Sequence, residues 1–369
     1  MDGDRPSREA TSVVDEGLVG RARRAERALL LVAIALVAAS LHALTVGAMP
    51  IALDEIFDHV ARLLSGAAPP EGDMVGAVVV DLRAPRVLLT LLVGGALGVT
   101  GAALQGLFRN PLADARLLGI TSGAALFASC AIVSAARLRL SASLQDVVAD
   151  ALRPAAAFVG ALLATLVVAR LGSRGGRTIT STLILAGVAL SSLAEAGVGL
   201  VLFLANDAEL RDITFWTLGS MAGATWSTLV VVAPPIVLGL VVFARQARAL
   251  DALALGESVA FHLGVSVEDT KRAVIFASAI VVGPAVAACG AIGFVGLVVP
   301  HVWRLVVGPA HGPLVVGSGA LGALVLLLAD GLARTVVAPA ELPIGVVTAG
   351  AGAPFFLYLV ATHARGHEA

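Results

Sequence analysis

The sequence predicts an all-α, polytopic membrane protein with about ten transmembrane helices per subunit, and three observations carry that prediction. First, the 369 residues are 58% apolar and only 14% charged, where a soluble domain would be roughly 45–50% apolar and about 25% charged. Mean hydropathy is correspondingly high at +0.94. Second, the apolar residues fall in runs of about 20, the length that a hydrocarbon core of about 30 Å demands. Third, aromatics make up only 4% while glycine alone counts 40. Small residues let helix backbones approach closely in lipid, where water expulsion cannot drive packing. Gly94 and Gly98 form one GxxxG, and Gly317, Gly319 and Gly322 crowd another span.

Residues 1–27 are polar and end in the basic cluster Arg21, Arg23, Arg24 and Arg27. The apolar stretch after it, about 28–48, is longer than a signal-peptide core of about 7–15 residues. It therefore reads as an uncleaved first helix with a cytoplasmic N-terminus. Further apolar runs lie near 87–107, 117–136, 154–171, 181–205, 228–244, 272–290, 291–307, 314–336 and 343–362. The 272–307 stretch is nearly continuous. As one helix at 1.5 Å per residue it would rise roughly 54 Å, so it reads as two, turning near Gly290 or Gly293. Ten spans place both termini on one side, and a six-residue tail, 364–369, follows in the cytoplasm. Positive charge supports that arrangement: 17 basic residues fall inside and 8 outside, of 25 in the chain. The inside set includes Arg109, Arg116, Lys271 and Arg304; the outside set includes Arg83, Arg86 and Arg334.

The longest cytoplasmic loop, 245–271, carries apolar residues at helical spacing interrupted by Gly256 and Gly264. Two short amphipathic helices joined at a glycine fit it. They could lie at the headgroups or form a knob for a cytoplasmic partner.

The missing chemistry is informative. A Walker A loop needs a Lys before Ser or Thr to reach the nucleotide phosphates. Lys271 is the sole lysine, and Arg272 follows it. No catalytic residues, cofactor or metal site are therefore expected on this chain, which reads as no enzyme. Cys130 and Cys289 both sit in apolar runs, which argues against a disulfide framework. Ser318 between Gly317 and Gly319 reads as packing, not as an intramembrane nucleophile. Glu195 lies inside the fifth span, where an ionisable group is costly; it reads either as part of a solute pathway or as a hydrogen-bonded structural residue. Asp330 and Arg334 are spaced to pair at i, i+4.

Several stretches carry a resemblance. LRAPRVLLTLLVGGALGVTGAALQGLFRNPLADARLLGITSGA (82–124), LILAGVALSSL (183–193), FWTLGSMAG (215–223), LALGESVAFHLGV (253–265), GAIGFVGLVVPHVWRLVVGPAHG (290–312), LLLADGLAR (326–334) and ELPIGVVTAGAGAPFFLYL (341–359) resemble, in order, the FecCD permeases of bacterial importers for iron–siderophores, haem and cobalamin. The resemblance implies an inner-membrane homodimer with a translocation path along its two-fold axis. Two ATPase subunits, carrying ATP and magnesium, would bind below, and a periplasmic binding protein would dock above. Membrane lipid is the remaining partner, and no nucleic acid is expected. By resemblance, Leu255, Gly256, Glu257, Ala260, Leu263 and Gly264 would seat in the ATPase. Arg83, Arg86 and Arg334 would receive carboxylates of the binding protein. The path would run past Leu193, Glu195, Leu202, Val346 and Phe355, and a largely apolar lining would hold a planar macrocycle weakly.

Two departures stand out. After Asn110-Pro111-Leu112-Ala113, which reads as a sharp re-entry turn, the family often has Asp-Pro, but here Asp114 is followed by Ala115 and Arg116. Before the Gly-Phe pair, many siderophore members have Gly-Pro-Ile, but here the chain reads Gly290-Ala291-Ile292. The second departure, with Pro-Ala-Glu-Leu-Pro-Ile-Gly-Val (339–346) and Gly-Ala-Pro-Phe-Phe (352–356), is more similar to the haem and cobalamin members; haem is the expected cargo, with ferric siderophore or cobalamin as alternatives. A carrier or channel working alone would instead transport without an ATPase, and a membrane-embedded enzyme would need convergent catalytic groups.

Overall fold

The computed structural model describes residues 5–47, 49–65, 73–137 and 142–365. Among these, α1 (Arg5–Thr45), α2 (Leu53–Leu64) and α3 (Met74–Gly76) lead into a π-helical stretch, Ala77–Arg83, continuous with α4 (Ala84–Phe108). A 3₁₀ turn, Ala115–Leu118, precedes α5 (Ile120–Arg137) and α6 (Ala142–Leu171). A two-stranded antiparallel hairpin, β1 (Ser173–Arg174) and β2 (Arg177–Thr178), leads to α7 (Thr180–Leu204), α8 (Asp207–Leu218) and α9 (Trp226–Ala254). The chain ends with α10 (Glu257–His262), α11 (Val267–Cys289), α12 (Val295–Val307), α13 (His311–Thr335) and α14 (Ile344–Arg365).

Seven of these helices are long and apolar enough to cross a membrane. The shorter apolar helices Ile120–Ala135, Val295–Val307 and Ile344–Tyr358 complete the ten predicted spans. The polar residues before the first span are helical, because α1 begins at Arg5 and runs through the basic cluster into the apolar stretch. Residues 1–4 and 366–369, expected to be cytoplasmic, lie outside the described residues.

α4 and α11 form the centre, with 78% and 72% of their apolar stretches buried, whereas α7 buries only 11%. The central contact, α4 on α13, is made by glycine. A Cβ on Gly94 would stand 2.4 Å from the Gly322 carbonyl oxygen, and one on Gly98 would stand 2.1 Å from that of Ser318. Gly101 is equally constrained against α12, 1.8 Å from the Gly296 carbonyl oxygen. Backbone-on-backbone approach of this kind is what small residues permit in lipid. Ser318 is fully buried within this contact, in keeping with a packing role.

The expected break between the seventh and eighth spans is present. α11 stops at Gly290 (φ 73°), and Phe294 takes φ 68° to start α12. A phenyl-bearing residue in the left-handed region is strained and persists only where its surroundings hold it.

The 245–271 loop differs from the expectation of two short helices. Its first half is the last turns of α9, which continues unbroken to Ala254, and only α10 is a separate short helix. Phe243, Ala247, Leu250 and Leu253 stay buried along this extension, so the helix keeps an inward face after it becomes polar outside.

Candidate functional site

Three groups of residues carry the functional reading, and each sits at a different depth of the bundle.

The first is α10 and the turns that flank it. Gly256 (φ 116°) and Gly264 (φ 82°) hold backbone conformations that L-residues with side chains rarely adopt, so both ends of the short helix depend on glycine. Ala260 is fully buried and seats α10 against α9. Leu255, Phe261 and Leu263 are 67%, 71% and 63% exposed. They project beyond α9 and α11 ends that carry Arg245, Arg248, Asp251, Glu268 and Arg272. Exposed apolar side chains beside charged ones form the kind of patch that a partner protein or a headgroup surface covers.

Glu257 does not simply point outward. Its Oε1 lies 2.8 Å from the Nζ of Lys271, whose side chain is 4% exposed. Lys271 also donates to the Thr178 carbonyl oxygen at 2.8 Å and lies 3.6 Å from Glu268, which in turn accepts from the Thr178 N–H. One buried ammonium thus ties α10, α11 and the β1–β2 hairpin together. The neighbouring start of α13 is held in a comparable way, with Asp251 accepting from the His311 N–H and meeting its Nδ1, both at 2.8 Å. Neither tie was anticipated from sequence, where Lys271 was read for topology and for the missing Walker A loop.

The second group lies at the opposite end and unites Arg83, Arg86 and Arg334. The expectation was of guanidinium groups offered to a docking partner, but the structure turns two of them inward. Arg83, 6% exposed, donates to the carbonyl oxygens of Leu44 (2.6 Å) and Met49. Arg334, 8% exposed, donates to those of Ala43 and Val46 and pairs with Asp330 at 3.2 Å. These arginines fasten the segment after α1 onto the bundle. Arg86 stands between two carboxylates, buried Asp330 at 2.9 Å and rim-exposed Glu341 at 2.9 Å. Of the three, Arg86 pairs with a carboxylate at the exposed rim.

The third group holds the residues expected to line a path. Leu193 and Val346 are 68% and 45% exposed, Glu195 is exposed, and Leu202 and Phe355 are half-buried. They lie on α7 and α14, whose faces also leave Leu185, Phe203 and Leu357 uncovered. Arg116 joins this region. It was counted with a cytoplasmic loop, and the chain folds back there. Arg109 takes φ 49°, the Asn110 side chain accepts from the Leu112 N–H at 2.9 Å, and the 3₁₀ turn enters the bundle. There the Leu117 carbonyl oxygen lies against Gly187 of α7, and the Ser191 hydroxyl reaches the Arg116 carbonyl oxygen at 3.4 Å.

With this geometry in place, the class of protein is defined. The chain matches the FecCD transport family over residues 31–362; it belongs to that family, the permeases of ATP-binding-cassette importers, and is not an ATPase. It is 44% identical over 292 residues to the hemin transport system permease of Yersinia pestis, covering 78% of this chain and 84% of that one. It is 41% identical over 283 residues to a cobalamin import system permease of Halobacterium salinarum, covering 77% and 73%. A metal-chelate type ABC transporter solved in an inward-facing conformation superimposes with a TM-score of 0.76 at 30% identity, covering 91% of this chain and 99% of that one.

Proposed function

We propose that this permease works as a homodimer in the bacterial inner membrane with both termini cytoplasmic, and that it moves haem inward using ATP hydrolysed, with magnesium, on two separate ATPase subunits. The permease itself would bind no cofactor. The observation that carries the energetic part is the α10 knob. Leu255, Phe261 and Leu263 are each more than 60% exposed, and burying such a side chain yields about 1.5–3 kcal/mol, enough to seat a partner. The uncovered apolar faces of α7 and α14 favour a second copy, which would close the path between them. Haem as cargo is favoured by the likeness to the Yersinia pestis hemin permease; cobalamin is the second reading, favoured by the Halobacterium salinarum relative.

Docking of a periplasmic binding protein at the Arg83, Arg86 and Arg334 end belongs to the same proposal. Arg86 and Glu341 are the pair a docking side chain would meet, since Arg83 and Arg334 are occupied by the chain's own carbonyls. Charges at such a rim steer encounter and fix register more than they add affinity.

Two measurements test the proposal. Phe261→Asp with Leu263→Asp should abolish co-purification of the ATPase while leaving the permease folded, and full retention of the ATPase would refute the knob assignment. A titration of the cognate binding protein with haemin, cobalamin and ferric siderophores should select haemin; selection of either rival overturns the cargo.

A further inference from the structure

Arg116 has no counterpart in the features used so far, and its position is unusual for a charged residue. The small cavity beside it, of about 90 Å³, is lined by Leu97, Thr100 and Gly101 of α4 and by Gly293 and Phe294 of the α11–α12 break. Leu97 to Gly101 lie in the last third of the continuous Met74–Phe108 helix, roughly 10–16 Å from its end at 1.5 Å per residue. A cation at that depth is costly, and such residues face a bundle interior or a watery path. The side chain is 51% exposed, so it is not sealed inside the bundle. Asp114 engages its Nε at 2.8 Å, and among the described residues no acceptor reaches its Nη atoms. The guanidinium carbon lies 5.7 Å from the centre of the Phe294 ring.

Its neighbours place it on the path. Ser191, one turn before Glu195 on α7, touches its carbonyl oxygen. Phe294 packs so tightly on α14 that a Cβ at Gly352 would stand 2.5 Å from its own Cβ. Arg116 and Phe294 therefore bridge α7 and α14. The strained φ of Phe294 fixes the ring where it is, and strain of this kind collects at ligand clamps.

We propose that Arg116 and Phe294 form a cargo subsite in the translocation path for a flat macrocycle bearing ionised carboxylates. The Nη edge of Arg116 takes a carboxylate, a geometry that guanidinium suits well, and the Phe294 ring meets the macrocycle. Asp114 keeps the guanidinium oriented and limits its net charge, so the cargo is held but not trapped. The inference rests on the haem reading above and extends it to a residue that departs from the family pattern at 115–116.

The test uses the permease purified with its ATPase, titrated with haemin and with haemin dimethyl ester, which keeps the ring and lacks the charges. The wild-type complex should bind haemin about tenfold more tightly than the ester, the scale of one hydrogen bond to a charged group. Arg116→Gln should bring haemin down to the ester's affinity and leave the ester unchanged, and Arg116→Lys should restore most of the difference. Equal binding of haemin and ester by the wild type, or an undiminished preference in Arg116→Gln, overturns the subsite. The cargo reading is checked apart, by ATP-driven uptake in proteoliposomes. Uptake of cobalamin or a ferric siderophore but not haemin by the wild type overturns both, whereas haemin uptake without acid–ester discrimination overturns the subsite alone.

Discussion

Replacing Lys271 with Met, a side chain of similar length without charge, would cut the tie between α10 and α11. Lys271 is 4% exposed and meets Glu257 at 2.8 Å, Glu268 at 3.6 Å and the Thr178 carbonyl oxygen at 2.8 Å. Removing one partner of a fully buried pair costs about 3–5 kcal/mol. Here Glu257 is 45% exposed and Glu268 27%, so water takes up much of the freed charge. About 2 kcal/mol remains, the scale of a hydrogen bond to a charged group, and it shifts the balance between tied and untied α10 by up to roughly 30-fold. The assay is cargo moved per ATP hydrolysed by the reconstituted complex. Lys271→Met should lower that ratio at least about fivefold while ATP hydrolysis continues. Glu257→Gln should act in the same direction, and the double variant should be no worse than Lys271→Met alone, because both remove one interaction. Normal coupling in Lys271→Met, or losses that simply add in the double variant, would refute the idea that the pair transmits motion from α10 into the core.

Three further outcomes follow from the packing and the charges. Gly101→Val would force a side chain to within 1.8 Å of the Gly296 carbonyl oxygen; backbone on both sides cannot yield, so a loss of about 3 kcal/mol should appear as a lower melting temperature of the purified protein. Arg86→Ala would leave Asp330, 1% exposed, with Arg334 as its remaining cation, at a cost of about 2 kcal/mol, the scale of a hydrogen bond between charged groups, whereas Glu341→Ala, on the rim, should cost under about 1 kcal/mol; chemical denaturation of both variants checks the contrast. If Glu195 lines the path, Glu195→Gln should alter uptake rate without altering melting, while a changed melting point with normal uptake would mark it as structural.

The ten spans were legible because membrane-crossing length is a local property of composition. The break at 290–294 could be read because a single helix there would overshoot the bilayer. The Gly94–Gly98 approach to α13 was also visible, since closely spaced glycines have few other uses in lipid. The extension of α9 to Ala254 was hidden, because Arg245, Gln246, Arg248 and Asp251 lowered hydropathy while Phe243, Ala247 and Leu250 kept the buried face. The Asp330–Arg334 pair follows from helical spacing alone. By contrast, the partners of Arg83 and Arg334 are backbone carbonyls at the end of α1 and just beyond it, such as Leu44 and Ala43, 39 and 291 residues away, and no local pattern encodes them. The fold-back of the 110–118 segment against Gly187 was hidden for the same reason, since its contacts are with residues some 70 positions away.

Uptake of haemin into proteoliposomes, measured with the cognate ATPase and ATP, with the ATPase alone and with the permease alone, bears most directly on this account. Accumulation only when both subunits and ATP are present is the predicted result. Accumulation by the permease alone, or nucleotide hydrolysis by the purified permease, would contradict it.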